Sequence, residues 1–351
     1  MKKYFNRIFI DGLTGMAQGL FATLIVGTII QQIGNLIGGS TGEMIFLLGK
    51  VAAAMTGAGI GVGVACRYKA SPLVVVSAGI SGMIGAFASK LLAGTVLVEG
   101  TIVLAGPGEP LGAFLAAYVG IELGLLVTGK TKVDILVTPL VTIGAGSVVG
   151  LILGPPISQF MLALGNLINW GTEQQPFIMG IVVSVLMGMI LTLPISSAAL
   201  GVILNLGGLA AGAATVGCCC NMVGFAVASY RENKMGGLIA QGIGTSMLQV
   251  PNIMRKPIIW LPAIISSAIL GPVSTMVLHM TNNATGSGMG TAGLVGQIMT
   301  METMTASEPA SMVLIKILAI QIILPAIITL IVSELMRKKG LINDGDMKLE
   351  V

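Results

Sequence analysis

GTSMLQVPN, residues 244–252, gathers Ser246, Gln249 and Asn252 around a proline, in a chain of 351 residues that is 54% hydrophobic and only 9% charged. A soluble domain carries about 25% charged residues. Basic residues flank the stretch, Arg231 and Lys234 before it and Arg255 and Lys256 after it. Between Arg231 and Arg255 the apolar part is KMGGLIAQGIGTSMLQVPNIM, residues 234–254. One helical crossing of a bilayer takes about 20 apolar residues, so this length cannot go across and return. Basic clusters collect on one side of a membrane. The stretch is therefore expected to enter and turn back as a re-entrant hairpin. Non-helical backbone at that depth requires burial in protein or a watery cavity, and the polar tip is expected to face such a cavity.

The same accounting extends outward. Apolar runs such as 73–98 and 312–335 are each long enough to span. Further basic clusters fall at Lys2, Lys3 and Arg7, at Arg67 and Lys69, at Lys130 and Lys132, and at Arg337, Lys338 and Lys339. The alternate connections carry Glu43, Glu99, Glu109, Glu173, Glu302 and Glu308. This alternation predicts a single all-α polytopic membrane domain over residues 1–351 with both termini cytoplasmic. The basic start MKKYFNRIFIDG reads as the approach to a first span rather than as a signal peptide. About eight full crossings are expected, with two broken or re-entrant segments near 193–201 (LPISSAALG) and 236–254, and a short tail at 337–351. The net charge of +4 is consumed by orientation and points to no nucleic acid. The 50 glycines read mainly as close helix packing.

Two short, Gly/Pro-interrupted segments in one apolar chain point to a binding site where they meet. Candidate polar groups are Ser246, Gln249 and Asn252 on one segment and Ser196, Ser197 and Asn205 at the other. Such hydroxyls often bond helix carbonyls instead, whereas an amide is costly to bury unpaired. His279, the sole histidine, sits in VLHMTNNATGSGMG (277–290), where a second, outer hairpin would carry Asn282 and Asn283. His279 is a candidate to relay a proton or bind a sugar hydroxyl, against the plainer reading of an interfacial side chain. Glu122 and Lys316 lie within apolar runs, and intramembrane charge is a functional hypothesis by default. Cys66 and Cys218–Cys220 lack the partners of a metal site and read as small packing residues. GAGIGVG (57–63) lacks the preceding strand of a phosphate loop. No cofactor, metal or catalytic constellation is called for.

The order of features from about 110 to 275 resembles the enzyme IIC permeases of the bacterial sugar phosphotransferase system, especially the fructose type. The resemblance rests on GAFLAAYVGIELG…LILGPPISQF…NLINW (112–170), on MGMILTLPISSAALG (187–201) and on GIGTSMLQVPNI (242–253). The opening NRIFIDGLTGMAQGLFATLIVGTIIQQIG (6–34) looks like the small branch that includes membrane proteins proposed as toxin-gene regulators. The resemblance implies a homodimer in the bacterial cell membrane that takes up a sugar or similar small polar solute and is served by separate IIA and IIB proteins. In that family a Glu in the 242–253 segment contacts sugar hydroxyls. Counted back from the proline, its place here is Met247, and the nearest polar group, Gln249, cannot ionise. Glu109, in AGPGEPLG (105–112), is then a candidate for the missing carboxylate, against the plainer reading of an exposed turn residue. Competing expectations are a permease, a IIC-derived sensor that signals solute occupancy to a partner, and an ion or proton pathway using Glu122 and Lys316.

Overall fold

The computed structural model describes residues 6–349; Lys2 and Lys3 of the first basic cluster lie outside them. The described chain is an all-α polytopic membrane protein, with one two-stranded hairpin, Leu97–Val98 with Thr101–Ile102. Six helices among the described residues are long and apolar enough to cross a bilayer, or seven if one bent pair counts as a single span. Prolines open two of these, at Pro110 and Pro257, and two shorter apolar helices, at Pro72 and Pro176, where the missing N–H would have no helical partner anyway. The chain forms two compact units, one ending at Met161 and one beginning at Leu162.

In the first unit, α1 (Arg7–Ile37) turns at Gly38, in a left-handed backbone conformation (φ 67°), into α2 (Gly39–Ala54) and α3 (Thr56–Arg67), which are bent by 52° against each other. Gly34 faces Gly42, Gly27 faces Gly49, Gly19 faces Gly59 and Gly15 faces Gly63. The pairing is antiparallel and brings backbone against backbone: a Cβ on Gly19 would stand 2.0 Å from the Gly59 carbonyl oxygen. Small residues permit this approach where lipid offers no hydrophobic drive. The seam continues through α4 (Pro72–Ala86), with Gly57 on Gly82, and α5 (Pro110–Val127), with Gly85 on Gly112. Arg7 pairs with Glu122 across α1 and α5, while its guanidinium lies 4.3 Å from the centre of the Tyr68 ring. A long helix, α6 (Asp134–Thr172), contains the boundary between the units.

The second unit is built around α9 (Gly208–Ala228), whose apolar window is 94% buried. α7 (Pro176–Thr192) packs on it with Ser184 against Gly217 and Thr192 against Asn221. The contacts advance together, so α7 and α9 run parallel. The chain between them, including α8 (Ser197–Ile203), must therefore return to where α7 began. α11 (Pro257–Val277) runs antiparallel to both, with Gly271 on Gly180 and Trp260 beside Asn221. α12 (Ala310–Lys338) runs parallel to α9, with Thr329 on Gly224 and Arg337 at the Ala228 carbonyl. The C-terminal ends of α9 and α12 and the start of α11 thus share one end of the unit. Arg231, Arg255, Lys256 and Arg337 lie there. Cys218, Cys219 and Cys220 are unbridged and wholly buried on α9.

Candidate functional site

Three interrupted segments converge on α9. The first is 193–207. The second leaves α10 (Tyr230–Ile239), continues through Ser246–Gln249 and comes back as Val250–Arg255. The third is 279–296, with a short helical turn at Ala284–Ser287.

The second segment reaches well up α9. Thr192 Oγ1 and Ser246 Oγ are 2.8 Å apart, and Thr192 also donates to Asn221 Oδ1 at 3.2 Å. Trp260 Nε1 donates to the same Asn221 oxygen at 2.8 Å, while Asn221 Nδ2 donates to the Gly217 carbonyl at 3.1 Å. Asn221 stands eight residues before Ser229, about 12 Å along the helix at 1.5 Å per residue. Ser229 in turn accepts from Gln241 Nε2 at 2.9 Å, near the base of the segment. The descending arm then brings Asn252 beside Lys348. Ser246 therefore sits at the turn of the segment and Asn252 back near its base.

Towards the N-terminal end of α9, Ser197 Oγ donates to the Gly288 carbonyl at 2.6 Å, joining the first and third segments. Beside this contact, Asn282 Nδ2 donates to Thr215 Oγ1 (2.8 Å) and Thr300 Oγ1 (3.0 Å). Gln321 Nε2 reaches Thr300 Oγ1 at 3.0 Å, and Gln297 Nε2 reaches Gln321 Oε1 at 3.0 Å. The Gln297 side-chain oxygen, Oε1, is buried with no hydrogen-bond partner among the described residues. It is an acceptor without a donor, in surroundings where an unmet acceptor is costly. At the start of α9 a cavity of about 390 Å³ is lined by Asn169, Thr172, Met179, Asn205 and Gly207.

The candidates from the sequence separate accordingly. Ser246 joins the Thr192–Asn221 group, Ser197 joins the outer pair of segments, and Asn205, exposed with φ 48°, lines the cavity. Ser196 is buried beside Ser197. Gln249 and Asn252 are buried and turned towards residues 347–348 rather than into a cavity. His279 is exposed at a left-handed turn (φ 47°). Lys316 is neutralised by Glu308 at 2.7 Å and donates to the Leu278 carbonyl at 2.9 Å; Glu122 is held by Arg7. Met247, where the resemblance implies a carboxylate, is a buried apolar side chain. Sequence reasoning passed over Thr192, Asn221, Trp260, Gln297, Thr300 and Gln321. Isolated amides inside apolar helices, as in CCCNMVGF (218–225) and LAIQII (318–323), are the signal that could have found three of them.

Glu109 stands in the first unit as the N-cap of α5. Its carboxylate accepts from the Leu111 N–H at 3.5 Å. Burial pushes its carboxyl up to about 7 from 4.5, against the smaller pull of the Leu111 N–H. A raised value in the fold means that the protonated form is favoured there. Its stabilisation is complete below about pH 4.5 and is lost as pH rises through about 7. Thermal melting in detergent is expected to fall across that window, and Glu109→Gln should flatten this part of the profile. An unchanged slope in the variant would assign the effect to another group.

A family model described as "Phosphotransferase system, EIIC" matches residues 10–349. The chain belongs to the phosphotransferase-system EIIC family. Comparison with curated proteins gave no match. Family membership and the apolar helices together make this EIIC chain a multi-pass membrane protein with a sugar-permease type of function.

Proposed function

We propose that this EIIC chain is a fructose-like permease for a neutral polyhydroxy solute, working as a homodimer in the bacterial cell membrane with the basic end of the second unit in the cytoplasm. The observation that carries this reading is the run of uncharged donors and acceptors along α9: Asn205 at the cavity, Ser196 and Ser197 at the first break, Gln297 with its free oxygen, then Ser246 beside Asn221. None of these side chains ionises. Sugar hydroxyls both donate and accept, so paired amides and hydroxyls in a partly dehydrated site recognise them without charge. The ion or proton pathway loses its support, because Glu122 and Lys316 are each in an ion pair. Separate IIA and IIB proteins would supply any phosphoryl group.

The test is binding of unphosphorylated hexoses and hexitols to the purified protein, followed by uptake into liposomes. At least one neutral polyol should bind and enter, and Ser246→Ala should weaken binding about tenfold, as expected when a buried hydrogen bond worth about 1–2 kcal/mol is lost. Failure of the whole panel to bind folded protein would overturn the reading. A second reading, a sensor that reports occupancy to a partner, is favoured by the docking of residues 340–349 on the second segment. Binding without uptake is the outcome that selects it.

A further inference from the structure

Residues 340–349 do not trail from α12. Ile342 and Met347 are 2% and 0% exposed and pack with Phe225, Ile253, Ile259, Trp260 and Met336. The backbone is held by side chains. Asn233 Nδ2 and Gln249 Nε2 both donate to the Met347 carbonyl, at 2.8 and 2.9 Å, and Asn252 Nδ2 donates to the Lys348 carbonyl at 2.9 Å. The Leu349 N–H returns a bond to Asn233 Oδ1 at 2.8 Å. Lys256 Nζ meets Asp346 at 2.6 Å, and Asp346 also accepts from the Asn343 N–H, which fixes the turn before the docked residues.

Gln249 is the pivot. Its two N–H groups go to Gln241 and Met347, and its oxygen accepts from Asn252 at 2.8 Å. Both donors of the side chain are in use. A solute hydroxyl oxygen is an acceptor of the same kind as the Met347 and Lys348 carbonyls, so solute and backbone compete for the same N–H groups. Through Gln241 the contact continues to Ser229 at the end of α9. The segment that carries Ser246 at its turn is thereby tied at its base to residues 346–349.

We propose that residues 340–349 are a latch that holds the re-entrant segment 236–254 in place, and that its release frees the amides of Gln249 and Asn252 for the solute. The second half rests on the permease reading; the first half does not. The latch competes with the solute, so loosening it strengthens solute binding, and bound solute loosens it.

Hydrogen exchange read by mass spectrometry on the full chain in detergent tests both halves. In the wild type, 343–349 and 236–254 should both exchange slowly. Asp346→Lys, which sets two ammonium groups against each other, should speed exchange in both segments at least tenfold. Adding Lys256→Asp should restore most of the protection, which mere misfolding would not allow. Wild-type exchange of 343–349 at the rate of an unstructured chain overturns the latch. So does a loosened 343–349 with 236–254 unchanged. The panel of unphosphorylated hexoses and hexitols then tests the release. Tighter binding by Asp346→Lys than by wild type is expected, and equal or weaker binding overturns that half. If no panel member binds any variant, the permease reading fails and with it the release, while the latch is still judged by the exchange of the two segments.

Discussion

Gly217→Val should leave the second unit unable to fold. A Cβ at this position would stand 1.8 Å from the Ser184 carbonyl oxygen and 2.5 Å from its carbon, both backbone atoms of α7. No rotamer change relieves a clash with a backbone. The helices would have to separate, and Gly188 beside Gly217 shows that the contact is close from both sides. Overpacking a core usually costs about 1–3 kcal/mol; here the cost should exceed that range. Separation would also break the Thr192 bonds to Asn221 and Ser246, because they bridge the same pair of helices and the segment 236–254. The measurement is the yield of monodisperse protein in detergent and its melting followed by tryptophan fluorescence, Trp260 being within the affected core. The expected result is loss of monodisperse protein. Normal yield with a melting point within a few degrees of wild type would show that α7 and α9 are not in backbone contact.

The second large effect concerns phosphorylation. Supplied with phosphoenolpyruvate, the general phosphotransferase components and cognate IIA and IIB proteins, the reconstituted chain should phosphorylate its solute about a hundredfold more slowly than an EIIC with a carboxylate at the position of Met247. That side chain is 4% exposed and offers neither charge nor a strong acceptor. Gln249, two residues on, is turned to the latch and could present a solute only at another angle. A displacement of about 1 Å from reacting geometry costs on the order of a hundredfold in rate. Rapid phosphorylation of the transported sugar would restore ordinary coupling and show that a carboxylate at position 247 is dispensable.

The spans were legible because hydropathy and basic clusters depend only on the bilayer. The apolar run 312–335 located α12, whereas 73–98 overran α4, which ends at Ala86 well before the Leu97–Val98 strand; the charge accounting singled out 234–254, whose Ser246 meets Thr192 of α7. The partners of the polar groups were not legible. Nothing in the spacing of Gln249 and Asn252 says that they would bond carbonyls of residues about 97 positions away rather than line a cavity. Asn221 reads as one polar residue after three cysteines, and only the parallel packing of α7 brings Thr192 to it. Glu122 and Lys316 invited a functional reading because charge in an apolar run has no local explanation. Arg7 supplies one for Glu122 from far away in the chain, and Glu308 supplies one for Lys316 from just before its helix.

These two ion pairs differ in a way that matters during synthesis. Lys316 finds Glu308 eight residues away, so that charge is neutralised while its helix is still emerging. Arg7 and Glu122 are 115 residues apart. At about 5–20 residues per second, the ribosome needs roughly 6–23 s to deliver the carboxylate. For that interval the first helix carries an unmatched guanidinium and no fifth helix to rest on. Its pairing with α5 can therefore form only after α2, α3 and α4 have been made.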